Sequence, residues 1–282
     1  FGEIKEQGNK ALLMGDPDFD LGAKEKESIL RKLALKEDKK EIIKRSRDMR
    51  RLHFNRLPGT REEVKSIKTI LGEEEVELYI GKEAVEEVLR QKVAPRILHL
   101  ATHGFFLSDV ELSYPREEMM SRGISIPLAA SGKRVPVKNP LLRSGIALAG
   151  ANTALKSRGA EKSDGIVTAE KILGMRLRGT EMVVLSACET GLGEVKTGEG
   201  VFGLRRAFAQ AGTKSMVMSM WPVPDRETKE LMIQFYTNIQ SGKMNRSRAL
   251  RDAALKEMET VKERYGHASP LFWGGFVFMG EP

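Results

Sequence analysis

Cysteine is nearly absent from this sequence, which has one, Cys188, in 282 residues. A single cysteine excludes an intramolecular disulfide framework and is typical of a reducing compartment, so we expect a cytoplasmic location. Long apolar runs are absent too. No run approaches the roughly 18 residues of a membrane span, and the N-terminus has no apolar secretory signal. Membrane partners are therefore not expected.

A starting methionine is also missing, because the sequence opens at Phe1. We therefore expect one domain over residues 1–282 that forms the C-terminal part of a longer protein. The length falls within the range of one large α/β unit and allows a substantial core.

Positive charge is concentrated in one stretch. Residues 24–51 contain 12 Lys or Arg against 6 Asp or Glu, and supply +6 of the formal net charge of +8. We expect a basic helical insertion over 24–55, which is either a solvated helix or a surface for nucleic acid or an acidic partner. Aromatic residues that stack on bases are absent from 24–51, so any nucleic-acid contact is expected to be indirect.

Short apolar runs alternate with amphipathic patterns along most of the chain. The predicted strands are 11–14, 76–80, 97–101, 182–185, 215–220 and 276–279. The predicted helices are 60–71, 84–91, 168–173, 201–211 and 226–239. This alternation indicates a mostly parallel central sheet that helices cover on both faces, a doubly wound α/β layer sandwich.

A dinucleotide site is not expected. Residues 198–203 spell G-x-G-x-x-G, but no acidic residue ends a following strand about 20 residues later. No cofactor and no metal is predicted.

Two predicted strands each deliver a reactive side chain at their carboxyl end, where a glycine follows. His103 comes after the strand 97–101, and Cys188 comes after the strand 182–185. Neighbouring parallel strands end at one rim of the sheet, so a separation of 85 residues is no obstacle to contact. Imidazole can take the thiol proton and return it to a leaving amine. This pair predicts a cysteine hydrolase.

Either residue taken by itself is more often structural. His99 illustrates this, because it lies on the same strand face as His103 but deeper in the apolar run. We interpret His99 as a packed or hydrogen-bonded core histidine.

Several separated motifs resemble those of the CHAT domain, a caspase-like peptidase module that is often found behind tetratricopeptide repeats and is related to separases. They are LLMGDPD at 12–18, ATHGFF at 101–106, LSACETG at 185–191, GEGVFGLRRAF at 198–208, SMWPVPD at 219–225 and FWGGFV at 272–277. The resemblance implies a caspase-like three-layer sandwich over nearly the whole chain. It also implies a repeat or sensor domain on the N-terminal side, or a regulatory partner.

The resemblance implies that the backbone N–H groups of Gly104 and Cys188 form an oxyanion hole, for which a residue without Cβ is suited. No third catalytic residue is evident, and a backbone carbonyl would orient His103 equally well. Glu189 would repel a thiolate if it pointed inward, so we expect it to face away or to bind a substrate group or a neighbouring loop.

Specificity is predicted from Trp221 and Asp225, which are similar to the Trp-x-Val-x-Asp segment of separases. The resemblance implies that the Asp225 carboxylate receives an arginine at the position before the cut. A carboxylate pairs bidentately with guanidinium, so we expect cleavage after Arg, with Lys second. The alternative is that Asp225 caps the helix 226–239.

The stretch 107–143 is long and contains four prolines and the dibasic pair Lys133 and Arg134. We interpret it as a flexible flap near the active site or as a passive surface insertion. The dibasic pair is a candidate for self-processing.

Three functions stay open at this point. The first is a regulated endopeptidase acting on a protein or peptide substrate. The second is a catalytically silent module whose basic face binds nucleic acid or protein. The third is acyl transfer from the same thiolate to an acceptor other than water.

Overall fold

The computed structural model describes residues 10–36, 49–107, 140–157, 163–186, 188–189 and 199–282. The middle of the basic stretch, 37–48, and most of the predicted flap, 108–139, lie outside the described residues. Within those ranges, no helix combines the length and the apolar character needed to cross a bilayer.

The strands are, in chain order, β1 (Ala11–Gly15), β2 (Val76–Ile80), β3 (Ile97–Ala101), β4 (His103–Phe106), β5 (Ser144–Ala147), β6 (Ile166–Thr168), β7 (Met182–Leu185), β8 (Cys188–Glu189), β9 (Ser215–Ser219) and β10 (Phe276–Gly280). The helices are α1 (Ala23–Lys32), α2 (Pro58–Leu71), α3 (Glu86–Gln91), α4 (Ala151–Lys156), α5 (Ala169–Leu173), α6 (Glu199–Ala211), α7 (Asp225–Gln240), α8 (Arg246–Tyr265) and α9 (Pro270–Trp273).

The central sheet has six strands in the order β10-β9-β7-β3-β1-β2. Its strands run parallel except β10, which pairs antiparallel with β9. Every residue of β1, β3 and β7 is buried, as expected for strands that are covered on both faces. The prediction of a mostly parallel α/β sheet is confirmed.

Strand alternation divides the core between the two faces of this sheet. Leu12, Leu98 and Val183 share one face and belong to a cluster with residues of α3, α5 and α6. Leu13 and Val184 share the other face and belong to a cluster with residues of α2, α7 and α8. The fold is therefore a three-layer sandwich of helices, sheet and helices.

A second, smaller sheet starts where the central sheet ends. Its order is β6-β5-β4-β8, with β4 and β8 parallel and the other pairs antiparallel. The glycine that follows the histidine lies in a strand and not in a turn, because β4 begins at His103 itself, directly after Thr102. The aromatic residues Phe105 and Phe106 favour an extended backbone here.

The basic stretch is helical where it is described at its start. Helix α1 buries Leu30 and carries mostly polar side chains on its remaining faces. The end of the stretch turns inward, because Met49, Leu52 and Phe54 are buried. This inward turn brings Phe54 and Asn55 to His103.

Candidate active site

The strands that lead to His103 and Cys188 are direct neighbours in the central sheet. Leu100 near the end of β3 lies opposite Leu185 at the end of β7. Beyond these ends, the parallel pair β4 and β8 begins with His103 opposite Cys188. Because neighbouring strands lie about 4.8 Å apart, the two backbones are side by side at the carboxyl edge of the sheet.

His103 is enclosed by aromatic rings. The residue is only 5% exposed. The rings of Phe19 and Phe54 lie at centroid distances of 5.4 Å and 5.8 Å from the imidazole. Burial among these groups lowers the pKa of His103, and the hydrogen bond to the Asn55 carbonyl opposes this by raising it. The ring is therefore neutral over a wider pH range than a solvated histidine.

The tautomer of His103 follows from its hydrogen bond. Nε2 lies 2.8 Å from the backbone carbonyl oxygen of Asn55. A carbonyl accepts only, so Nε2 carries the proton and Nδ1 of the neutral ring carries a lone pair. Nδ1 is buried and has no hydrogen-bond partner among the described residues. An imidazole in this state can accept a proton through Nδ1.

The carbonyl of Asn55 is the orienting group that sequence reasoning left unassigned. Every residue has a carbonyl, and Asn55 precedes His103 by 48 positions, so no residue type marks it. The contact is visible only in the folded structure, where the buried Phe54 packs beside the imidazole.

Gly104 and Glu189 occupy opposing positions in the second sheet. Gly104 lies opposite Glu189 on β8 and opposite Ile146 on β5. The structure thus brings the predicted oxyanion residues Gly104 and Cys188 onto adjacent strands. Whether their N–H groups stabilise an oxyanion stays a prediction.

Asp225 is the first residue of α7 and comes directly after Pro224. Its carboxylate accepts the backbone N–H of Gly59 at 3.0 Å, at the start of α2. The N-cap position of α7 is taken by Pro224, so Asp225 lies one residue inside the helix, in its first turn, and not at the cap position of the alternative. Burial raises the pKa of this half-buried carboxyl, and the Gly59 hydrogen bond lowers it in part.

Trp221 connects the turn after β9 to the C-terminal part of the chain. Its indole N–H donates to the carbonyl of Leu271 at 3.1 Å. Gly275 packs so closely that a Cβ there would lie 3.2 Å from the indole nitrogen. Trp221 is only partly exposed, and its single polar donor is engaged within the chain.

His99 is a core residue, as predicted. It is fully buried, with Nδ1 3.0 Å from the Tyr236 hydroxyl and Nε2 2.9 Å from Glu63. The hydroxyl of Ser186 lies 3.3 Å from the same Nε2. The network ties α2, β3 and α7 to the residue that follows β7.

The sequence of this chain is similar to those of known proteins. Tetratricopeptide repeat protein 28 of Mus musculus and that of Homo sapiens are each 32% identical to this chain over 115 residues. The aligned part is 41% of this chain and 4% of the length of these relatives. The family model described as CHAT domain matches residues 2–281. The chain therefore belongs to the CHAT domain family, whose fold is related to that of caspase-like peptidases.

Proposed function

We propose that this chain is a cysteine endopeptidase in which Cys188 is the nucleophile and His103 the general base. The observation that carries the proposal is the register of β4 and β8, which sets His103 opposite Cys188. The tautomer of His103 supports it, because Nε2 is bound to a carbonyl and Nδ1 is available for the thiol proton. A thiol needs such a base near neutral pH.

The reaction follows from these positions. Nδ1 of His103 takes the thiol proton, and the Cys188 thiolate attacks the peptide carbonyl. Collapse of the tetrahedral intermediate expels the amine, which takes the proton back from the imidazolium. Water, deprotonated by the same ring, then hydrolyses the thioester and restores the thiol. The Asn55 carbonyl stabilises the imidazolium that forms between these steps.

A tetrahedral intermediate forms when the thiolate attacks and again when water attacks. The negatively charged oxygen of each is proposed to accept hydrogen bonds from the backbone N–H groups of Gly104 and Cys188. A donor of this type is worth about 3 kcal/mol in the transition state. Neighbouring strands carry both residues, which supports this role.

Asp225 is proposed to bind an arginine on the substrate, with lysine second. Its carboxylate is half-buried, so a guanidinium would gain a charge-assisted pair with less competition from water than at a fully exposed carboxylate. One of its oxygens, Oδ2, accepts the Gly59 N–H, and the other is proposed to receive the substrate cation. Trp221 and Glu189 are proposed to contact the substrate beside it.

The proposal is tested by incubating the chain with a peptide library and reading the cut sites by mass spectrometry, beside Cys188→Ala. We expect cleavage after Arg by the native chain and none by the variant. Cleavage that persists in Cys188→Ala, or cuts without a basic residue before them, would contradict the assignment.

A silent interaction module is the second candidate. The deep burial of His103 favours it, because an incoming peptide does not reach the imidazole without movement of the surrounding groups. Helix α1 would present the basic surface to nucleic acid or protein, with Arg31 at 84% side-chain exposure. Absence of cleavage, even with the natural activator, would favour this function.

We also propose that an attached repeat domain or a protein partner regulates the site. The support is that both relatives named above are tetratricopeptide repeat proteins. Residues 24–55 and 107–143 are proposed as a basic insertion and a flap within one domain. A reducing, cytoplasmic compartment would keep the Cys188 thiol free.

A further inference from the structure

Asn152 on α4 makes a paired contact with the backbone of Phe54. Its Oδ1 accepts the Phe54 N–H at 3.0 Å, and its Nδ2 donates to the Phe54 carbonyl at 2.9 Å. The residue is 1% exposed, so water does not compete for these bonds. One amide side chain thus satisfies both backbone groups of Phe54, as a neighbouring strand would.

The residue after Phe54 is the one that holds the proposed general base. The carbonyl of Asn55 accepts the Nε2–H of His103. The peptide unit between Phe54 and Asn55 is planar, so a fixed Phe54 carbonyl leaves few torsions free before the Asn55 carbonyl. Asn55 itself is exposed, so its own side chain gives little anchorage. On its N-terminal side, the backbone that leads to this carbonyl is held by the contact that Asn152 makes with Phe54.

Asn152 also reaches the other side of the imidazole. Its backbone N–H donates to the Phe19 carbonyl at 2.8 Å. Phe19 and Phe54 are the two residues whose rings lie against His103. A single residue therefore holds the backbone of both aromatic walls and, through Phe54, the orienting carbonyl.

We propose that Asn152 is a positioning residue for His103, because its amide fixes the Asn55 carbonyl that holds the imidazole in the Nε2–H tautomer. The inference rests on the proposed role of His103 as general base. The chemistry singles out asparagine, since the site requires one donor and one acceptor attached to the same carbon of a short side chain. Aspartate lacks the donor, and glutamine is longer by one methylene.

The test combines imidazole ¹⁵N NMR with steady-state kinetics on Asn152→Ala and Asn152→Asp. We expect both variants to lose the pure Nε2–H tautomer of His103. We expect kcat to fall on the order of 10- to 100-fold, because small displacements of catalytic groups have effects of this size. KM should stay within about twofold, since Asn152 touches no proposed substrate site.

Asn238→Ala is the matched control. Asn238 is a half-buried residue on α7 whose Nδ2 donates to the Ala249 carbonyl at 3.0 Å. Its Oδ1 also accepts from Gln234 Nε2 at 2.8 Å, so the control, like Asn152→Ala, loses two side-chain hydrogen bonds. It should lose thermal stability, with kcat and the His103 tautomer unchanged. A purely structural role of Asn152 would make its variants behave like this control.

The outcomes separate this inference from the proposed function. If His103 keeps the Nε2–H tautomer in a folded Asn152 variant, the inference is overturned. If Asn152→Ala does not fold, Asn152→Asp decides, because it preserves the side-chain volume. If the native chain cleaves nothing, the peptidase proposal fails, and a tautomer change in the Asn152 variants still supports the positioning role.

Discussion

The side chain of Asp225 has a structural contact and a proposed role in substrate binding. One oxygen accepts the N–H of Gly59, which is a structural bond between two helices. The proposed substrate contact, in contrast, requires negative charge. Asparagine can make the first contact through its own Oδ1 but not the second. A substitution at this one residue therefore separates the two roles.

We expect Asp225→Asn to lower kcat/KM for arginine substrates by about 10- to 100-fold, which corresponds to about 1.5–3 kcal/mol for a lost charge-assisted hydrogen bond. Its free energy of unfolding should stay close to that of the native chain. Asp225→Ala should lose the same activity and also the Gly59 bond, with about 1 kcal/mol less stability. Kinetics on matched Arg and norleucine peptides, with urea unfolding, measures both. Retained activity and unchanged preference in Asp225→Ala would refute the substrate role.

At the residue scale, the sequence is informative where a residue type carries the signal. Each of His103 and Cys188 follows an apolar strand, and the register of β4 and β8 sets them opposite each other, while their catalytic roles stay a prediction. The partner of Asp225 was not predictable, because Gly59 contributes a backbone N–H from 166 positions away. Backbone groups occur in every residue, so only the folded structure selects the ones that act.

At the scale of elements, the starts of α2 and α7 fit together around a residue without a side chain. A Cβ on Gly59 would lie 2.1 Å from Oδ2 of Asp225, far inside van der Waals contact. The carboxylate is the end of a rotatable side chain, so it would turn away before either helix moved. Gly59 therefore keeps the Asp225 carboxylate in its present direction.

We expect Gly59→Ala to change the free energy of unfolding by less than about 1 kcal/mol, because the better helix propensity of Ala offsets the lost hydrogen bond. Its kcat/KM for arginine peptides should fall toward that of Asp225→Ala. Gly22→Ala is the control, since a Cβ there meets nothing within 4 Å. The idea fails if Gly59→Ala keeps its full arginine preference.

Predictability of the elements depended on how apolar they are. The buried strands β1, β3 and β7 were predicted almost to the residue, because runs of apolar side chains are covered on both faces. The 20-residue helix α8 was missed, since most of its residues are charged or polar. Its ends carry the usual signals, with Asn245 accepting the N–H of Arg248 and Gly266 in a left-handed conformation.

At the scale of the whole molecule, the candidate site lies where two sheets meet. The chain leaves the central sheet at Ala101 and enters the second sheet at His103. Between them, the buried Thr102 hydroxyl donates to the Ala147 carbonyl on β5, which ties the crossing point to the second sheet. Both sheets must therefore be folded before His103 is oriented. The fraction of chains with a formed site thus depends on the stability of the whole fold.

Glu257 on α8 is a buried carboxyl that couples this stability to pH. The residue is 4% exposed, and one of its oxygens has no hydrogen-bond partner among the residues that the structure describes. Burial, with the negative charges of Glu230 and Glu227, raises its pKa to about 7, against the opposing charge of Arg264. Arg264 is engaged with both of those glutamates, at 2.7 Å and 2.8 Å.

The sign of the pH effect follows from proton binding. Between the ordinary value of 4.5 and about 7, the folded chain keeps a proton on Glu257 that the unfolded chain has released. Stability from this group is therefore full below 4.5 and is lost as the pH rises through 7. Glu257→Gln, which stays neutral, should match the native chain at pH 4 and be more stable at pH 8, by on the order of 1–3 kcal/mol.

Urea unfolding of both proteins at pH 4, 6 and 8 measures this difference. Glu259→Gln is the matched control, because Glu259 lies on the same helix with 63% side-chain exposure. Removing its charge should leave a small difference from the native chain at every pH, because its exposed ion pair with Lys256 contributes little to stability. If Glu257→Gln were no more stable at pH 8 than the native chain, the charge on Glu257 would be compensated in the fold. The neighbouring charges of Glu227 and Glu230 would then not make the stability of the chain depend on the protonation of Glu257.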